Sequence, residues 1–277
     1  MTRVLVVGDL MLDETLNGPV RDRAHDDMPV VTVAERHLEA GGAARAAQWV
    51  ERLGAEPRLV GTIGNDGSGA ALRTLLGPLA LHVVTDDGPT THKCTVRVDG
   101  VSRIRLDTEN RGRTTREPDL IASMHALALD AVAILIADYD KGLITSALMT
   151  VARHRGLPLV LDPSGRRCLP GASAITPNRH EARTLTGEAD PRAALDALAA
   201  ENPHTLVCIT LDVDGVLVRH VDGTTEHTPA IAVCLRRTVG AGDAFAAGLA
   251  VGLGRGLPAR DCVHFALIAA AAACEER

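Results

Sequence analysis

Apolar residues fall along this chain in short unbroken runs that alternate with longer stretches of helical spacing. Residues 4–7 (VLVV) read as a strand buried on both faces, because no polar face alternates within it, 131–137 (AVAILIA) as another buried strand, and 58–63, 157–162 (LPLVLD), 174–176 and 206–210 as further strands or short apolar runs. A further strand is expected at 81–84. A helix is predicted from Gly41-Gly42 to Gly54, with Ala, Trp, Val and Leu on one face and charge on the other. Further helices are predicted at 69–76 and 117–129, from Asn178 onward, and in two closing segments rich in Ala and Gly, 241–254 and 259–274. This strand–helix–strand rhythm predicts an α/β chain with a mostly parallel central sheet. No repeat, low-complexity tail or linker interrupts it, so residues 1–277 are expected to form a single domain.

Two stretches break the rhythm. Residues 17–36 are polar and then extended, and VVTV at 30–33 predicts a strand outside the main sheet. Between 90 and 107, THKCTVRV and SRIRLD flank Asp99-Gly100, a two-residue hairpin signal. Lys93, Arg97, Arg103 and Arg105 load this hairpin with positive charge. Alternation puts Lys93 with Arg97 on one face of their strand, and Arg103 with Arg105 on one face of the other. In a chain of net charge -6, that concentration suggests an anionic ligand beneath the hairpin; a solvated sheet face is the alternative.

The same acidic balance, with a pI near 6.0, argues against a nucleic-acid surface and for small-molecule chemistry. The 6 cysteines form no CxxC pair, so neither a zinc site nor a disulfide frame is suggested, and a reducing cytoplasm fits. The N-terminal apolar run meets Asp9 too soon for an export signal, and the Ala-rich run at 266–273 is too short to cross a bilayer. No membrane partner is expected. The only aromatics are 1 Trp, 1 Tyr and 2 Phe, so any adenine site must be mainly aliphatic.

Candidate chemistry collects where strands end and helices begin. Gly240-Ala241-Gly242-Asp243 opens an apolar helix, placing glycines and a carboxylate at an N-terminus whose unpaired N–H groups attract anions. A phosphate there would lie next to Asp243, which could take a proton from an attacking hydroxyl; a plain glycine turn is the alternative. In open α/β sheets ligands lie beyond the carboxyl ends of the strands. Asp9 and Asp13 after the first strand are therefore candidates for holding hydroxyls, loop capping being the alternative, and Asp138 to Lys141 deliver polar groups at the end of another. Gly41 and Gly42 would let a ligand approach the backbone, and Arg45 in the first helical turn could point at it; an ordinary solvated arginine is the alternative. Asn178 and Glu181 are spaced as a capping box or, functionally, as an amide and carboxylate near phosphate-bound Mg²⁺. Thr210 and Gly215 could line a nucleotide's phosphate and ribose.

VVGDLMLDETLNGPV at 6–20, GGAARAA at 41–47, LVGTIGNDG at 59–67, THKCTVRV with RIRLD, ADYDKG at 137–142, LDPSG at 161–165, TPNRHEA at 176–182 and VGAGDAF at 239–245 run in one order over nearly the whole chain. In these pieces the chain resembles the ribokinase-like (PfkB) carbohydrate kinases. Within them GDxMLD and DYxKG are most similar to the heptose-7-phosphate kinases of ADP-heptose synthesis. The resemblance implies a three-layer α/β/α fold with a small β lid from segments about 14–38 and 88–108. It also implies ATP as co-substrate on one side of the GAGD turn, with sugar on the other. Asp243 would be the catalytic base and Gly240, Ala241 and Gly242 the anion cradle. Asn178, Glu181, Thr210, Gly215, Gly240 and Gly242 would meet the nucleotide, Glu181 holding Mg²⁺ through water. Asp9, Asp13, Gly41, Gly42, Arg45, Lys93, Arg97, Arg105, Asp138 and Lys141 would meet the sugar phosphate.

The implied reaction moves the γ-phosphoryl of ATP to the anomeric hydroxyl of a D-glycero-D-manno-heptose 7-phosphate. An exposed lid strand could pair two copies, and nucleotidyl transfer is expected to belong to another protein. Two departures from the pattern stand out: Arg45 where Asn is usual, and Arg237 where an acidic residue helps build a monovalent-cation site, which predicts turnover indifferent to K⁺. The competing readings are a kinase for another phosphorylated sugar or a nucleoside, and a non-catalytic sugar-phosphate sensor.

Overall fold

The computed structural model describes residues 2–23, 29–109, 114–164, 168–234, 236 and 239–275. Arg237, on which the monovalent-cation expectation rests, lies outside the described residues. The chain begins β1 (Arg3–Gly8), β2 (Leu10–Gly18), β3 (Val20–Arg23), β4 (Pro29–Val31), β5 (Glu35–Gly42), α1 (Ala43–Arg52), β6 (Glu56–Gly64), α2 (Gly67–Leu76) and β7 (Val83–Asp86). It continues β8 (Thr91–Val98), β9 (Val101–Thr108), α3 (Glu117–Leu127), β10 (Ala133–Ala137), α4 (Ser146–His154), β11 (Leu159–Asp162), β12 (Ala174–Ile175), α5 (Arg179–Thr186) and α6 (Pro191–Glu201). It closes β13 (Leu206–Thr210), β14 (Val216–Arg219), β15 (Thr225–Thr228), α7 (Ala241–Gly254) and α8 (Ala259–Glu275).

The main sheet has 9 strands in the order β15-β14-β13-β12-β11-β10-β1-β6-β7. It is parallel from β7 to β13, with β14 and β15 antiparallel at one edge. Strand alternation splits the core in two. Val4 and Val6 of β1 face α1, α2, α7 and α8, whereas Leu5 and Val7 face α3, α4, α5 and α6. Helices therefore cover both faces, giving the three expected layers. From β1 the chain winds first to β6 and β7, then crosses back to β10. The strand order reverses beside β1, and ligand crevices of such sheets open there.

A second sheet of 4 strands, β5-β2-β8-β9, stands beside this point, and β3 pairs with β4 in a separate ribbon. The Asp99-Gly100 turn joins β8 to β9 with φ of 48° and 79°, the double positive φ that a two-residue hairpin turn demands. The VVTV strand lies outside the main sheet as expected, but it is shorter, starting at Pro29 and ending at Val31.

Other boundaries differ for local reasons. The strand expected at 81–84 begins at Val83 because a 3-10 turn over Gly77–His82 takes up Leu81. Strands β2 and β5 had no clean alternation to show, since β2 is sandwiched between β5 and β8 and buries residues at irregular intervals. Helices α4 and α6 were also not anticipated. The second carried a readable signal: Asp190 caps it through the Ala193 N–H at 3.2 Å, and Pro191 follows at the first helical position.

Candidate active site

Helix α7 starts at Gly240, whose φ of 93° suits glycine, and puts Asp243 in its first turn. Asp243 is 6% exposed and lies at the floor of a cleft of about 400 Å³ between the carboxyl ends of the main-sheet strands and the second sheet. Val239, Gly240 and Gly242 line the same cleft. Burial raises the Asp243 pKa above the ordinary carboxylate range, and Arg45 and Tyr139 oppose that rise. Tyr139 donates its hydroxyl to Asp243 Oδ1. Arg45 Nη1 lies 3.6 Å from Asp243 Oδ2.

Arg45 ties the floor to the wall. Its Nη2 donates to Asp13 Oδ2 at 2.6 Å, and Glu39 Oε2 stands 3.7 Å away. Asp13 sits on β2, directly between Glu39 of β5 and Lys93 of β8. The glycine pair serves this geometry. A Cβ on Gly41 would come within 2.5 Å of Asp13 Oδ2, and one on Gly42, where φ is already 62°, within 2.4 Å of the Asp9 carbonyl oxygen. Gly42 lines the cleft; Gly41 shapes it by leaving room for Asp13.

Across the cleft, Asn178 caps α5 by accepting from the Glu181 N–H at 2.9 Å, while Glu181 Oε2 accepts from the Asn178 N–H at 2.8 Å. The capping box is real, and both residues still line the cleft with Thr210, which bridges to Asn178. Asp162 joins them from the end of β11. Burial first, then the charges of Glu181 and Asp243, holds the Asp162 pKa well above the usual carboxylate range. Glu181 is raised to about 7, chiefly by burial.

The hairpin contributes unequally. Lys93 lines the cleft with its ammonium 5.8 Å from the centroid of the Tyr139 ring, and burial lowers its pKa. Arg105 lines it too, held bidentate on Asp107 at 2.7 and 2.8 Å. Arg97 does not line it and is exposed. Four residues along a strand is about 13 Å, so Arg97 is carried beyond the reach of the cleft that Lys93 lines, while the nearby bulge falls on β9, at Arg103.

Other expected sugar or nucleotide contacts also stand back from the cleft. Asp9 is buried and accepts from the Tyr139 and Lys141 N–H groups at 2.8 and 3.3 Å, so it shapes the turn that aims Tyr139. Asp138 accepts from the Asp140 N–H at 2.9 Å, and Lys141 pairs with Glu109 at 2.5 Å. Gly215, with φ of 92°, lies under Thr228, where a Cβ would meet a carbonyl oxygen at 2.2 Å. Ala241 sits in the α7 first turn, half-buried beside the glycines that line the cleft. Two further residues line the cleft: Tyr139, which fell within the Asp138–Lys141 stretch but was given no role of its own, and Asp162, which was not among the candidates. Both stand at the carboxyl end of a buried apolar run, the position that had marked the others.

The sequence pattern of the pfkB family carbohydrate kinases matches residues 1–277. The chain belongs to this family. The kinase is 33% identical over 96% of its length to the bifunctional protein HldE of Hyphomonas neptunium, and 32% identical over 97% to that of Wolinella succinogenes. It spans 59% and 60% of those two proteins. Its fold is similar to that of Arabidopsis thaliana ribokinase complexed with ribose and ATP, with a TM-score of 0.76 at 20% identity over 100% of this chain and 93% of that one. It is also similar to the tetrameric inhibited form of phosphofructokinase-2 from Escherichia coli, with a TM-score of 0.79 at 17% identity over 99% and 94%. Membership of a kinase family implies ATP as co-substrate. No helix among the described residues is long and apolar enough to cross a membrane.

Proposed function

We propose that this kinase transfers the γ-phosphoryl of ATP to the anomeric C1 hydroxyl of a D-glycero-D-manno-heptose 7-phosphate, giving the 1,7-bisphosphate. The observation that carries the reading is the position of Asp243: a buried carboxylate in the first turn of α7, open to a cleft whose opposite wall holds Asp13, Lys93 and Arg105. Relatives named HldE and the GDLMLD and DYDKG motifs favour the heptose among sugars.

Asp243 accepts the proton of the attacking hydroxyl, and the N–H groups of the Gly240–Gly242 turn meet the anionic phosphoryl group. Asp13 orients sugar hydroxyls. Lys93 and Arg105 supply the cations that a distal phosphate needs, which an unphosphorylated nucleoside would leave unused. Thr210 and Asn178 border the nucleotide side.

Asp162 and Glu181 fit a magnesium ion. These two half-buried carboxylates beside Asp243 hold protons more tightly than usual because desolvation and neighbouring negative charge disfavour their ionised forms, and a divalent cation would favour them. Among the described residues no group of three or more His, Cys, Asp and Glu could hold a metal unaided, which suits Mg²⁺ shared with phosphate oxygens and water. When bound, Mg²⁺ neutralises charge on the phosphates. The β9 edge, with Ile104 53% and Leu106 60% exposed, supports pairing of two copies through the second sheet.

The test is ATP consumption across a panel of sugar phosphates and nucleosides, with the product read by phosphorus NMR. Turnover on the heptose 7-phosphate with a new anomeric phosphate is expected. Faster turnover on another acceptor would replace the substrate, and no turnover on any acceptor would leave a sugar-phosphate sensor.

A further inference from the structure

We propose that Arg45 contacts the phosphoryl group during transfer and takes over its charge as Asp243 is protonated. The inference rests on the kinase reading above and adds a catalytic role to a residue otherwise placed only among sugar contacts. Three observations carry it. Arg45 is the cation within ion-pair distance of Asp243 among the described residues, at 3.6 Å. Its stem lies along the anion cradle, for a Cβ on Gly240 would fall 2.8 Å from Arg45 Cδ. Its side chain is 13% exposed and is fixed from the far side by Asp13 at 2.6 Å, so the guanidinium is already in place before a ligand arrives.

These contacts locate the reacting group. The phosphoryl must touch both the N–H groups of the α7 start and the hydroxyl that Asp243 deprotonates, and Arg45 flanks both. Lys93, over the Tyr139 ring, and Arg105, held on Asp107, lie toward the second sheet and suit a distal phosphate.

The charges then move in a consistent way. The hydroxyl oxygen forms its bond to the γ-phosphorus, the bond from the γ-phosphorus to the bridging oxygen breaks, and ADP leaves with that electron pair. The hydroxyl proton passes to Asp243, whose carboxylate becomes neutral. Arg45 thereby loses one of its anionic partners at the moment when the three equatorial phosphoryl oxygens carry the charge. A guanidinium presents a planar fork of donors to such oxygens, and the low dielectric of the cleft floor strengthens the contact.

The experiment compares Arg45→Ala, Arg45→Gln and Arg45→Lys with the parent enzyme. Arg45→Ala is expected to lower kcat by about 100-fold or more, the scale of losing a charged transition-state donor, while KM for ATP stays within about threefold. Added guanidinium ion should restore at least about tenfold of the loss in Arg45→Ala and nothing in the parent. Calorimetry with MgADP and with MgADP plus aluminium fluoride supplies a readout that needs no sugar. Affinity for the fluoroaluminate complex should fall at least about tenfold while that for MgADP holds, which also shows that the variant is folded; Arg45→Gln, of similar length, serves if Arg45→Ala is not.

A kcat within threefold of the parent, a loss confined to KM for the sugar, or an undiminished fluoroaluminate complex would overturn the proposal. If the parent forms an Arg45-dependent fluoroaluminate complex yet phosphorylates no heptose 7-phosphate, the substrate reading fails and this one stands.

Discussion

To serve as the proposed base, Asp243 must be available as a carboxylate although it is 6% exposed, and two side chains favour that form. Burial raises its pKa; the Arg45 charge and the Tyr139 hydroxyl stabilise the charged form. Asp243→Asn keeps the shape but cannot accept a proton, so kcat should fall by about 10³-fold or more with ATP affinity little changed. A variant retaining a tenth of the parent rate would remove Asp243 from the role of base. Tyr139→Phe deletes one donor to Asp243, so its pKa should rise further and the acid limb of the kcat/KM profile should move to higher pH. An unmoved limb would show that the hydroxyl only packs. On the opposite wall, Lys93→Ala and Arg105→Ala should each raise KM for the sugar phosphate about tenfold or more and leave KM for ATP within about twofold. Equal activity on unphosphorylated heptose would defeat that assignment.

Elements reach the site through close backbone approach, and glycines permit it. Gly248 of α7 faces α8 so tightly that a Cβ would lie 2.7 Å from Ala266 Cα, a backbone atom that cannot swing aside. Gly248→Ala should therefore destabilise the protein by about 1–3 kcal/mol, seen as a lower midpoint in denaturant, because the helix carrying Asp243 must shift. Gly67→Ala, with nothing within 4 Å of the added methyl, is the control and should change stability little. At the other wall, Gly41→Ala places a methyl 2.5 Å from Asp13 Oδ2 and should raise KM for the sugar far more than it lowers stability.

Over the whole molecule, the cleft holds more acid than base. Asp13, Glu14, Glu39, Asp162, Glu181 and Asp243 line it against Arg45, Lys93 and Arg105. That imbalance has a measurable sign. Glu181 titrates at about 7 in the folded protein against 4.5 as the ordinary value, so folding favours its protonated form. The stability this contributes is fully present below pH 4.5 and is lost as pH rises toward 7. Without nucleotide, the Glu181 contribution to stability should be lost across that window, and Glu181→Gln should flatten the fall. MgATP should raise the melting temperature most at the upper end of the window, where Glu181 and Asp162 carry charge that the metal can neutralise. A melting temperature in the absence of nucleotide that climbs through the same window would contradict the assignment.

Local information sufficed wherever a residue's role depends on its own neighbours in the chain. The buried apolar runs became the parallel strands, Asp99-Gly100 became the hairpin turn, Asn178 and Glu181 became the capping box, and GAGD became the start of α7. Side-chain direction across elements was decided only by the tertiary structure. Asp9 and Asp138 follow strands β1 and β10, Asp162 ends β11 and Asp13 lies within β2, yet the first two bond the turn backbone and the others face the cleft. Arg97 shares a strand with Lys93 but is carried away by its distance along that strand. Tyr139 and Arg45 are 94 positions apart by their numbers (139 − 45) and meet at Asp243 because the strand order reverses beside β1, setting the end of β10 opposite the start of α1. A pattern along the chain records burial and turns; which polar groups converge depends on where strands are laid side by side, and no local spacing encodes that.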